Sequence, residues 1–137
     1  MVAAETLRDA CVEVLLTAGA DAKAEAAMRL NLRWKAGVIS LSEAGAAVPD
    51  RPARPARPAL LPPAAMPKRK RAGSPRARFA LLHALAHIEL NAIDLAVDLV
   101  ARWGAGMPPA FTGDWLQIAD EEARHFMLLQ GLLRGAG

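Results

Sequence analysis

The 137-residue sequence has no tyrosine, a single cysteine and only 4% aromatic residues. One thiol, Cys11, excludes an internal disulfide framework. Its place in an apolar helical pattern reads as a buried, unreactive sulfhydryl. The shortage of aromatics leaves few platforms for stacking nucleic-acid bases. Valine and isoleucine are sparse, and no stretch alternates apolar and polar residues with period two, which argues against an extended sheet. No segment supplies the roughly 20 apolar residues of a membrane span. No apolar run follows a basic start, as a secretory leader requires. These absences predict a cytoplasmic protein without membrane attachment. The excess of 17 Lys and Arg over 14 Asp and Glu gives a net charge of +3, too small by itself to imply a nucleic-acid partner.

Alanine and leucine, both strong helix formers, dominate what is present. The expected fold class is all-α. A first helix is expected over residues 3–18, with Leu7, Ala10, Cys11, Val14 and Leu15 on one face, ending at Gly19. A second, capped by Asp21, runs to about Lys35 and stops at Gly37, with Ala27, Leu30 and Trp34 as its apolar stripe. The prolines concentrate between Pro49 and Pro75. Each restricts its predecessor to extended conformations, so Arg51 to Arg71 reads as a polyproline-like strap over the domain surface, anchored by Leu60, Leu61 and Met66. Ser74-Pro75 is a helix start, and a third helix extends to about Trp103. Met107-Pro108-Pro109 makes the turn, and a fourth helix continues to about Arg134. The chain thus divides into an N-terminal helical region (1–47), a strap (48–73) and a helical hairpin (74–137).

Successive residues advance about 100° around a helix. With Glu89 as origin, Leu82, Leu85, Ala86, Ala92, Ile93, Ala96 and Val100 fall within roughly 60°, so the glutamate sits in the apolar stripe. His83, His87, Asn91, Asp94 and Asp98 take the opposite side, where a solvated face is expected. With Glu122 as origin, Trp115, Ile118, Ala119, His125, Phe126, Leu129 and Leu133 share its face, while Asp120 and Arg124 point away. A lone carboxylate in an apolar interior costs several kcal/mol, and two would repel each other. A cation between them resolves both difficulties. Glu89, with the Glu-x-x-His pair Glu122 and His125, is therefore a candidate metal-ligand set, of the kind found in di-iron and di-manganese helical bundles. The competing reading pairs a buried glutamate with an arginine of the strap.

Other groups carry less. His83 and His87 have a zinc-compatible spacing but lack the His-Glu-x-x-His motif. Lys68, Arg69, Lys70 and Arg71 form a basic cluster suited to phosphate contact, though without interleaved aromatics.

RPARPARPALLPPAAMPKRK, LLHALAHIELNAIDLAVDLVARW, MPPAF and DWLQIADEEARHFMLL together resemble a bacterial ferritin-like family of unknown function. That family is distantly similar to tRNA-hydroxylating di-iron enzymes. The resemblance, over about residues 20–133, implies a ferritin-like four-helix bundle with a di-iron (or di-manganese) centre. Glu89 would be the single glutamate of one helix, and Glu122 and His125 the Glu-x-x-His of the next. Members of the family are about twice as long and supply a second such pair. The expectation is therefore half a bundle, completed by a missing C-terminal half or by a second copy in a homodimer. A symmetric dimer would bring four carboxylates and two imidazoles together. The functional expectation is a metal-binding protein acting as an oxidase or hydroxylase; the alternative is a non-catalytic helical interaction module or a truncated relict.

Overall fold

The computed structural model describes residues 5–55 and 74–136. The fold is all-α, as expected, with α1 (Leu7–Leu15), α2 (Ala20–Lys35), α3 (Pro75–Trp103) and α4 (Pro109–Ala136). A parallel pair of two-residue strands, β1 (Glu5–Thr6) and β2 (Ile39–Ser40), ties the start of α1 to the segment after α2. Residues 56–73, which hold most of the strap with Leu60, Leu61 and Met66, lie outside the described residues. Among the described residues, no helix is long and apolar enough to cross a membrane.

Local chemistry explains the helix ends. The Thr6 hydroxyl accepts the Asp9 N–H at 3.2 Å and starts α1, later than residue 3. The α2 cap is Gly19, which offers no side-chain hydrogen bond, and not Asp21. Asp21 lies in the first turn, where its carboxylate instead accepts Arg134 at 2.5 Å and Gln130 at 3.5 Å. Ser74 caps α3 through the Ala77 N–H, with Pro75 opening the helix, as the sequence predicts.

The two long helices form an antiparallel hairpin through a single 3₁₀ turn, Gly104–Gly106. Gly104 allows the close approach at this corner. A Cβ there would lie 2.9 Å from Thr112 Oγ1, 3.0 Å from Leu7 and 3.1 Å from Val100. α2 packs mainly on α4, and α1 on α3. Leu7, Leu15, Leu30, Ile93, Val97, Val100, Leu116 and Phe126 close the core. Each such side chain contributes roughly 1.5–3 kcal/mol by burial.

Cys11 is fully buried in this core. Burial, and secondarily the Glu5 charge, push its thiol up to about 12. The folded protein should therefore leave a disulfide exchange reagent unreacted at about pH 8 and release one equivalent of thiol only in denaturant. Rapid native-state labelling would contradict this burial.

Candidate metal centre

The antiparallel crossing sets Glu89, midway along α3, against the turn of α4 that carries Glu122 and His125. One donor atom from each of the three residues lies within 4.8 Å of the others. His125 Nδ1 is 3.7 Å from Glu89 Oε2 and 3.6 Å from Glu122 Oε2. Both distances exceed hydrogen-bond length, so the three groups converge without satisfying one another. Glu89 Oε2 is itself buried and lacks a hydrogen-bond partner among the described residues. A buried carboxylate oxygen left so costs about 1–3 kcal/mol or more, unless another species completes it. Two carboxylates and an imidazole fit a first-row divalent metal, which takes oxygen and nitrogen ligands together.

The surroundings differ from the dry interior that the sequence reading expects. The Glu89 and Glu122 side chains retain 19% and 25% of their exposure, and His125 retains 56%. Glu89 sits at the edge of the buried arc of α3, and not at its middle. Ala86, Leu90, Ile93, Val97 and Val100 define that arc, centred about 60° around the helix from Glu89. The wrapping of α1 and α2 on one side of the hairpin causes this offset. The triad therefore faces the side that α1 and α2 leave uncovered, where Ile88, Leu95, Leu128 and Leu132 are exposed.

Two further residues depart from expectation. Asp94 is not on a solvated face. It is 4% exposed, and its Oδ1 accepts Lys23 Nζ at 2.7 Å, with Arg54 3.0 Å from Oδ2. Burial lowers the Lys23 ammonium and raises the Asp94 carboxyl from their ordinary values, against the pull of the pair itself. Asp120 likewise does not point away. It is 5% exposed and accepts Arg124 Nε at 2.9 Å. No sequence motif marks Lys23 or Arg54 as partners of Asp94, which lie 71 and 40 positions away along the chain.

The half-buried His83 and His87 rings lie 5.0 Å apart, tilted by 54°, and both line a cleft. Burial, then the charges of His83 and Arg54, lower the His87 imidazole from its ordinary value. Neither histidine joins a three-donor cluster among the described residues. The basic cluster Lys68, Arg69, Lys70 and Arg71 lies outside the described residues.

An uncharacterized protein of Haemophilus influenzae is 40% identical over 98 residues. The match takes in 67% of this chain and 32% of the relative, so the chain spans about a third of that protein's length. No solved structure matches significantly. A family model described as "Protein of unknown function (DUF455)" matches residues 16–137, and the chain belongs to that family.

Proposed function

We propose that this chain is a ferritin-like metal-binding protein in which Glu89, Glu122 and His125 hold a divalent metal, and that a second chain completes the bundle and its di-iron (or di-manganese) centre. The convergence of three donor groups that do not satisfy one another carries this reading. The resemblance of the two long-helix motifs to ferritin-like proteins supports it. The iron would supply oxidation chemistry with dioxygen, of the kind used by oxidases and hydroxylases. The residues of this chain would contribute charge and position. Two carboxylates neutralise a divalent cation. His125 adds a nitrogen ligand from the exposed side, and Ile88 and Leu95 flank the site with apolar surface that a second copy would dehydrate.

A second reading, a helical interaction module without metal, draws on the same exposed apolar side chains. Elemental analysis with light scattering separates the two. The metal reading predicts about one iron or manganese per chain and a mass twice that of the chain. A protein that stays monomeric and metal-free after incubation with ferrous iron under anaerobic conditions overturns it and leaves the module.

A further inference from the structure

The side of the hairpin that α1 and α2 leave open carries a regular pattern. On α3, Leu81, Leu85, Ile88, Ala92, Leu95 and Leu99 follow one another at alternating steps of four and three residues. None of the six joins the buried core or packs against it, whereas the adjacent Leu82 does. Ile88 and Leu95 keep 56% and 61% of their exposure. Such alternation is how one helix seats another, each apolar side chain entering a hole on the facing helix. On α4 the same steps join Ile118, Glu121, His125, Leu128 and Leu132, again all outside the core.

The α3 seam fits its own copy. In a two-fold pair, residue i meets j and j meets i. With the axis level with Leu90, antiparallel copies of α3 set Leu81 on Leu99, Leu85 on Leu95 and Ile88 on Ala92. Every seam residue is then used, and the larger Ile88 faces the small Ala92. A slip of one heptad sets Arg102 against Leu85, or Arg78 against Leu95, which puts a charge into an apolar layer. The hairpin carries this register across to α4. Ala123 lies about as far past the α3–α4 turn as Leu90 lies before it, so the axis passes level with both. There it sets Ile118 against Leu128 and Glu121 against His125, with Asp114 and Leu132 at the open ends. The Glu121–His125 contact is complementary in charge. His125 Nδ1 faces Glu89 and Glu122, which leaves its Nε2 to donate to a carboxylate behind the ring.

We infer that two copies of this chain pair antiparallel, α3 on α3 and α4 on α4, about an axis level with Leu90, and that each copy supplies Glu121 to the His125 of the other. Glu89 is one position from that level, so the two triads meet. The inference rests on the reading that a second copy covers this face, but the seam is apolar and holds without metal.

Paired cysteines read the register. In chelator, Leu85→Cys with Leu95→Cys in one chain should oxidise to a covalent dimer, because opposed positions bring the Cα atoms within disulfide reach. Neither substitution alone should cross-link, since each cysteine then stands about 15 Å along the helix from its own copy. Cys11 is sealed in the core and does not compete. Leu95→Glu, at a side chain exposed in the single chain, should weaken the dimer at least about 100-fold, two leucines being lost from each pair. Circular dichroism verifies that each variant remains helical. A covalent dimer from either single-cysteine variant marks parallel pairing and overturns the proposal. Cross-linking by Ile88→Cys with Leu99→Cys in place of the first pair marks the slipped register and overturns it too. So does wild-type protein that light scattering finds monomeric in chelator at roughly 100 μM. Iron uptake is scored apart. A dimer that cross-links as expected and takes up no metal defeats the metal centre and leaves this interface, and metal-loaded protein without the cross-link does the reverse.

Discussion

Glu122→Ala is expected to lower metal affinity by at least about 100-fold and, in metal-free protein, to raise stability instead of lowering it. The first effect follows from ligand count. Loss of a residue that only supports a ligand costs about 10–100-fold, and Glu122 would be one of only three ligands from this chain. The second follows from charge. Two carboxylates within 4.8 Å repel by about 3.5 kcal/mol at an effective dielectric near 20. Residual solvent screening and the nearby imidazole reduce that, so removing one carboxylate should return about 1 kcal/mol. A purely structural role predicts the reverse, since the variant would lose its approach to His125 at 3.6 Å and gain nothing. Thermal unfolding in chelator, paired with metal analysis of both proteins, reads the two effects separately. A metal-free variant that melts below the wild type would count against the metal assignment, even if it also bound less iron.

The hairpin was legible because its signals are local. Ser74-Pro75 supplies a cap and a preset φ, and the glycines and prolines between Gly104 and Pro109 leave only a turn between two long periodic segments. The Glu-x-x-His spacing placed Glu122 and His125 on one helical face, and an antiparallel partner brings Glu89 to them. Periodicity could not give the centre of each buried arc, because that depends on which neighbours arrive and from where. With α1 against α3 and α2 against α4, both arcs rotate away from the glutamates. Asp94 and Asp120 were assigned to water by their angle from the glutamates, which fails where the arc is rotated and a distant Lys23 is buried with one carboxylate, or an exposed Arg124 reaches back to the other. The β1–β2 pair is two residues long on each strand, too short to leave an alternation.

Asp94→Ala should be the most destabilising single change, costing about 3–5 kcal/mol, because it strands a buried cation. Lys23 is 0% exposed, and Asp94 provides its counter-charge at 2.7 Å. The other Lys23 contacts are neutral carbonyls, Ala53 O at 2.6 Å and Leu15 O at 3.5 Å. Arg54 approaches Asp94 at 3.0 Å without hydrogen-bond alignment and keeps some exposure, so it can turn toward solvent when its partner is lost. Lys23 cannot. The cluster also pins the first residues of the strap, where the Ala53 N–H donates to Leu15 O and Arg102 donates to Pro49 O. Local opening there should therefore accompany the global loss, visible as faster hydrogen exchange at Ala53. Since burial opposes both charges, an apolar replacement of the pair should be tolerated far better than its disruption. Lys23→Met with Asp94→Leu is expected to recover more than half of the loss. Urea unfolding of the three proteins decides it. A single variant within about 1 kcal/mol of wild type would mean that Lys23 reaches water or sheds its proton at little cost. The cluster would then not be what fixes α2 and the 49–55 segment against α3.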